Sequence, residues 1–349
     1  MVKLFTKYLT LHMGVTRFGI IGLGRIGKIH FENINSFIDD ASIAAVSNLN
    51  SKNQKWVKDR SDTKIYDHYD QMVSDPKIDA IIISSPTSFH IEHIKIAIDS
   101  GKAIFCEKPV DQTFSKVKLI EDLIKDSKVP FMVGFNRRYD QSIKKIKKSI
   151  ENGTIGTPQI IGITSRDPAP PDINYLKTSG GLFLDMAIHD FDIACFLNEN
   201  SVESVYSTGS VFIDKQIENL GDVDTAVTTL NFENGSIATI NNSRKAAYGY
   251  DQRVEVFGDL GMCATNNQLP DNHFIADENG IHTPRPIGFF LERYSESYRS
   301  IIKKFISCLK EKRDMPNGII AGLNSLHISL AAKKSLEEKR VVYLDEQFN

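Results

Sequence analysis

Two groups of residues in this 349-residue chain combine types and spacings that acid–base chemistry uses. The first lies in Gly181–Leu197, a segment so apolar all round that it reads as a buried helix. Asp185, His189 and Asp192 fall there at i, i+4 and i+7, which makes a polar stripe along one side. Burying such groups without partners costs roughly 2–7 kcal/mol each even when they are neutral. They are therefore expected to face one another or a cleft. An Asp one turn from a His can orient the imidazole and tune it for proton transfer. The competing assignment is an acid resting on the helix dipole beside a satisfied core histidine. The second group is Glu107-Lys108-Pro109, which directly follows the apolar run KAIFC. In an open α/β sheet, ligands bind just beyond the carboxyl ends of the strands. Lys108 thus stands where a cofactor or substrate would meet it, unless it is simply a solvated lysine at a loop start.

A third pattern binds rather than reacts. Gly22-x-Gly24-x-x-Gly27 follows the run RFGII and opens the helical segment IGKIHFENI. The first glycine permits a tight turn, the second lets backbone approach a pyrophosphate, and the third lets helix and strand pack closely. The pyrophosphate then lies at a helix N-terminus, where free N–H groups and the dipole favour anions. The usual partner of this turn is an acid at the end of the next strand, roughly 20 residues on, which holds the adenosine ribose. Here Asn48 occupies that place in Val46-Ser47-Asn48. Asn48 can still bond a ribose hydroxyl but does not repel a 2′-phosphate, and Arg25 could attract one. NAD is the expected cofactor and NADP its competitor.

These residues must be held by elements that the sequence also indicates. RFGIIG, SIAAVSN, DAIIISS, KAIFC and PFMVGF are short Ile- and Val-rich runs that suit parallel strands buried on both faces. Helical segments, such as His90–Ser100 and Thr113–Lys125, lie between them. This alternation predicts an α/β Rossmann domain with a doubly wound parallel sheet over 15–136. After it come a basic helix Arg137–Glu151, the strand GTPQIIGITSRD and the helix Gly181–Leu197. The runs SVYSTGSVFI, DTAVTTLNF, GSIATINNSR, RVEVFG and GMCATN follow as strands, then helices near Leu291–Leu309 and Ile319–Lys339, and a last strand VVYL. That order predicts an α+β domain over 137–349 on a mostly antiparallel open sheet. Residues 1–14 read as an extension outside the fold.

Composition removes other classes of function. A formal net charge of -2 leaves no electrostatic footprint for nucleic acid or an anionic membrane. No apolar run approaches the roughly 20 residues of a membrane span. Cys106, Cys195, Cys263 and Cys308 form no C-x-x-C pair, which fits a reducing, cytoplasmic setting. His90 and His93 lack a nearby third ligand, so no metal is expected. Lys144–Lys148 reads as a solvated helix face, and no P-loop is present.

With these motifs assembled, the chain resembles the glucose–fructose oxidoreductase/inositol dehydrogenase (Gfo/Idh/MocA) family from about Arg17 onward. The resemblance rests on GLGRIGKIH, FCEKP, GFNRRYD, SRDPAPP, SGGLFLDMAIHDFD and NNSRKAAYGYDQRVEVFG, and leans to the inositol 2-dehydrogenase branch. It implies that Lys108, Asp185 and His189 are the catalytic set, with His189 as base, Asp185 orienting it and Lys108 stabilising the alkoxide. It implies that Gly22, Gly24, Arg25, Ile26, Gly27, Asn48, Ser84, Pro86, Thr87, His90, Glu107 and Lys108 border the cofactor. Asn136, Arg137, Asp167, Asp185, His189 and Tyr250 would line a polyol pocket. The implied reaction takes myo-inositol to 2-keto-inosose with no metal, in a homotetramer or homodimer. Asn48 departs from the family's usual Asp and bears on NAD against NADP. Two other readings stay open: a dehydrogenase or reductase of another sugar or polyol, and a dinucleotide-sensing regulator without catalysis.

Overall fold

The computed structural model describes residues 14–346, so all of the expected extension but Gly14 lies outside the described residues. The chain divides into two compact units, 14–136 with Tyr298–Leu323 and Arg137–Ser297 with 324–346.

In the first unit the apolar runs become β1 (Thr16–Ile21), β2 (Ala41–Ser47), β3 (Lys64–Tyr66), β4 (Ala80–Ile83), β5 (Ala103–Cys106) and β6 (Phe131–Val133). All pair in parallel, in the order β3-β2-β1-β4-β5-β6. Every residue of β4 and β5 is buried, as strands covered on both faces should be. The winding reverses between β1 and β4, and the crevice beyond their carboxyl ends is where such a sheet binds a dinucleotide.

The expected single division after residue 136 needs correction. Helix Ser295–Glu311 belongs from Tyr298 onward to the first unit. Its Phe305 ring lies 6.1 Å from Phe18 and 5.8 Å from Phe105, so its apolar face covers this sheet.

The second unit contains β7 (Pro158–Arg166), β8 (Val202–Ser210), β9 (Thr225–Phe232), β10 (Ile237–Ser243), β11 (Asp251–Gly258) and β12 (Gly261–Ala264), then the hairpin β13 (Ile275–Asp277) and β14 (Gly280–His282), and β15 (Val342–Tyr343). Seven of these form one sheet, β12-β11-β7-β10-β9-β8-β15, antiparallel throughout except for the β10–β7 pair. One face packs Ile161, Ile163, Leu230, Ile240 and Val256 into a core with Phe191, Ala194 and Leu197 of helix Ile188–Asn198.

Three local departures have physical causes. The basic helix begins at Gln141, because Asn136–Tyr139 is a 3-10 turn and Asp140 caps the helix by accepting from the Ser142 and Ile143 N–H groups. Its face is not wholly solvated: Lys147 is buried, paired with Glu199 at 2.5 Å and lying over the Phe196 ring. The segment expected as one helix over Gly181–Leu197 opens with a π-helical stretch, Leu182–Ala187, before Ile188–Asn198 continues as α-helix. Gly181 starts it at a φ of 83°, and a Cβ there would lie 2.7 Å from the Asp222 carboxylate, which accepts from the Leu182 N–H.

Candidate active site

At the carboxyl edge of the first sheet the three glycines do different things. Gly22 turns at a φ of 84°, and a Cβ on it would meet Ser85 backbone at 2.7 Å. Gly27 packs so closely that a Cβ would lie 2.1 Å from the Gly22 carbonyl oxygen. A Cβ on Gly24 would meet nothing within 4 Å, so the space in front of that backbone is open. A closed turn, a close helix–strand contact and an open middle are what a pyrophosphate cradle needs, so the residues present fit a dinucleotide. Ser84 fastens the turn: its hydroxyl donates to the Gly22 carbonyl at 2.7 Å and its N–H to that of Ile21 at 3.0 Å. Arg25 and Ile26 open helix Arg25–Phe37. Beside the turn is a cavity of about 400 Å³, lined by Gly22, Asn48, Leu49, Asp67, Pro86 and His93 among others. Its polar, partly apolar lining suits the adenosine half of the cofactor. Thr87 starts the short 3-10 helix Thr87–Phe89.

Lys108 stands two residues beyond β5, half-buried, in a loop tied down on both sides. Glu107 is turned inward: its carboxylate meets His30 Nε2 at 2.7 Å, and Gly134 leaves room for it, since a Cβ there would lie 2.8 Å from the carboxylate. Its N–H donates to the Ile83 carbonyl at 2.9 Å. His90 is buried as well, with Nδ1 2.9 Å from the Pro109 carbonyl and Nε2 2.8 Å from that of Ser85. Burial lowers the His90 pKa, opposed by those two carbonyls and the charges of Glu107 and Asp111. Glu107 and His90, expected beside the cofactor, are thus placed where they brace the loops carrying Lys108 and Pro86. Asn136, buried next to this edge, keeps an amide nitrogen with no hydrogen-bond partner among the described residues.

In the second unit, Asp185 and His189 are the only residues between Leu182 and Ala194 that are not buried. Asp185 accepts from the Tyr175 hydroxyl at 2.7 Å and faces Arg244 Nη1 at 3.5 Å. Asp192, which shares their spacing in the sequence, is drawn elsewhere: it is buried and holds Arg138 through contacts of 2.5 and 2.8 Å. The polar stripe therefore has two half-buried members, and the third is an internal ion pair. Arg137 pairs with buried Asp190 at 2.6 Å, reaches Ser165 at 3.3 Å and lies over the Tyr294 ring. Asn242 donates to the same Asp190 at 2.8 Å. Tyr250 is buried edge-on against Phe289 and Tyr294, and burial raises its pKa well above the ordinary value.

Asp167 is half-buried, and its carboxylate makes no hydrogen bond or ion pair among the described residues. Burial pushes its pKa up to about 6; Arg244 and Arg137 pull it down, while Asp185 and Asp190 push it up. Arg244 is the member of this cluster that its residue type alone did not reveal. It is fully buried, and among the described residues its Nε and Nη2 have no hydrogen-bond partner. The segment NNSR placed it at a strand end, but nothing in that spacing signals a buried guanidinium.

A 3-2-1-4-5-6 parallel sheet with this glycine cradle defines a dinucleotide-binding protein of the dehydrogenase class. Known proteins agree. Residues 16–135 match the oxidoreductase family with the NAD-binding Rossmann fold, and residues 143–264 match the GFO/IDH/MocA C-terminal domain. The chain belongs to the GFO/IDH/MocA family and is an NAD(P)-dependent oxidoreductase. It is 44% identical to a myo-inositol 2-dehydrogenase of Thermotoga maritima, over 95% of this chain and 99% of that protein. It is 39% identical to an inositol 2-dehydrogenase of Rhizobium meliloti, over 93% and 98%. The scyllo-inositol dehydrogenase of Lactobacillus casei, solved with NAD(H) and scyllo-inositol, superposes with a TM-score of 0.89 at 29% identity, covering 95% of this chain and 100% of that one.

Proposed function

We propose that this chain is an NAD-dependent inositol dehydrogenase that oxidises a ring secondary alcohol, taking myo-inositol to 2-keto-inosose. The observation that carries the reading is the exposure pattern of the π-to-α segment. In an otherwise buried run, the two side chains that are only half-buried are an Asp and a His one turn apart. The names of the relatives supply the substrate class.

When bound, the nicotinamide ring supplies an acceptor for two electrons and a hydrogen. The chain's own residues do the rest. Gly22, Gly24 and Gly27 hold the pyrophosphate. Lys108 stabilises the oxygen as negative charge develops on it, so positive charge is available without a metal. His189, oriented by Asp185, takes the hydroxyl proton as the carbonyl forms, and a bound nicotinamide would accept the carbon's hydrogen with its electron pair. Asn136, Arg137, Asp167 and Tyr250 bind the remaining hydroxyls; Asp167 brings a carboxylate with no hydrogen-bond or ion-pair partner among the described residues, and Asn136 an amide nitrogen with none. The same reading has the chain working as a homo-oligomer.

The test is cofactor reduction by purified protein with a panel of inositols, other polyols and aldoses, with NAD and NADP run separately. Turnover is expected with an inositol. Turnover confined to an aldose would move the substrate elsewhere, and dinucleotide binding with no turnover on any substrate would make the chain a sensor. Lys108→Met and His189→Asn should each lower kcat by about 10²-fold or more while dinucleotide affinity stays within a few-fold. Unchanged kcat in either variant removes that residue from the mechanism.

A further inference from the structure

Building on the dinucleotide reading of the first unit, we infer that Asp67 is the acid that selects NAD against NADP, in the role left vacant by Asn48. The end of β2 is the usual place for that acid, and here it carries Asn48, with φ at 56°. β3 runs parallel beside β2 with Ser47 opposite Tyr66. The next residues along, Asn48 and Asp67, therefore leave neighbouring strands at the same carboxyl edge, where parallel strands lie about 4.8 Å apart. Both line the same cavity, together with Gly22 of the glycine turn. A carboxylate one strand over is thus within reach of the ribose that Asn48 faces.

The charge of the cavity supports this assignment. A 2′-phosphate is held by Arg or Lys, and the lining contains neither. Its one histidine, His93, is pushed by burial down to about 4 and is neutral at physiological pH. Asp67 is then the only charged side chain in the lining among the described residues. It is exposed, and among the described residues its carboxylate makes no hydrogen bond or ion pair, whereas Tyr66 beside it is bonded to Asp75 at 2.6 Å. The cation beside Tyr66, Lys64, is held over that residue's ring, 4.1 Å from its centroid, and pairs with Asp75 at 3.8 Å. A ribose with free hydroxyls meets an acceptor here; a phosphorylated one meets a like charge, and Arg25, the cation of the glycine turn, is not part of this lining.

Calorimetric affinities for NAD and NADP, measured without substrate, test the assignment. Wild type should bind NAD more tightly than NADP. Asp67→Asn should shift the ratio of the two affinities toward NADP by about tenfold or more, the scale of one like-charge contact removed from a partly solvated site. The double variant Asn48→Asp/Asp67→Asn should restore the preference for NAD. An unchanged ratio in Asp67→Asn overturns the inference, as does a wild-type preference for NADP. An equal loss of affinity for both would place Asp67 on the adenine instead and overturns it too. Failure of wild type to bind either dinucleotide is a different result, and removes the underlying reading of this unit.

Discussion

Asp167 is where the electrostatics of the second unit can be read out. Burial holds its pKa at about 6 against the pull of two arginines, so it changes charge within reach of ordinary assays. If its ionised form accepts from a polyol hydroxyl, kcat/KM should fall as pH drops through about 6, since that ratio reports the ionisations of the free enzyme. Asp167→Asn should remove this limb and lower kcat/KM at neutral pH by roughly tenfold or more. A limb that persists in the variant assigns the ionisation elsewhere. Stability carries the opposite sign. A carboxyl whose folded pKa exceeds its unfolded value of about 3.9 favours the folded state while protonated. That contribution is complete below about pH 4 and is lost as pH rises through about 6, so thermal unfolding of the variant should depend less on pH across this window. At this scale residue type was informative where chemistry demands one particular side chain. The glycine turn stood out by its spacing. Arg244, Asp67 and the inward turn of Glu107 did not, because burial and cross-strand neighbours decide what those groups face.

Helix Gln141–Glu151 shows how one residue serves two elements. Asp140 accepts from the Ser142 and Ile143 N–H groups at its N-terminus and also pairs with buried Arg293. Loss of the cap alone costs about 1 kcal/mol. Loss of the pair leaves a buried guanidinium uncompensated, which costs more, about 3–5 kcal/mol. Asp140→Ala should therefore lower the unfolding free energy in urea by at least about 3 kcal/mol, and Asp140→Asn, which keeps the cap, by less. No loss in Asp140→Asn would mean that the ion pair contributes nothing, and equal losses in the two variants that the cap does not. The strands and long helices were legible because their apolar periodicity is strong. β3, the helices Ser51–Lys58, Tyr69–Val73 and Ile173–Ser179, and the β13–β14 hairpin were not, being short and polar. The π-helical stretch was hidden for another reason. Its residues are as apolar as those of an α-helix, and Asp192 separates from Asp185 and His189 through its pairing with Arg138, far off in sequence.

The two-unit plan was legible from the change of pattern after residue 136, although Tyr298–Leu323 returns to the first unit through contacts that no local pattern announces. The open face of the second sheet belongs to this scale too. Strand registry sets Met262 opposite Phe257, Phe257 opposite Ile160, and Ile160 opposite Ile237, so one apolar row crosses four strands. These side chains are 51%, 45%, 47% and 38% exposed, on the side away from the core residue Ile161. Singly exposed hydrophobic residues are ordinary, but a contiguous row marks an interaction surface. The expected homo-oligomer accounts for it if a second copy packs sheet to sheet, since a two-fold contact lets one patch cover itself. Light scattering on purified protein should then give a mass above that of one chain. Phe257→Asp, at the centre of the row, buries a charge on each side of such a contact and should weaken association by about 2 kcal/mol or more. The variant should shift toward single chains at micromolar concentration, and because Phe257 lies outside the core, its far-ultraviolet circular dichroism should match that of wild type. A monomeric wild type, or a variant that assembles unchanged, would leave the row without this partner.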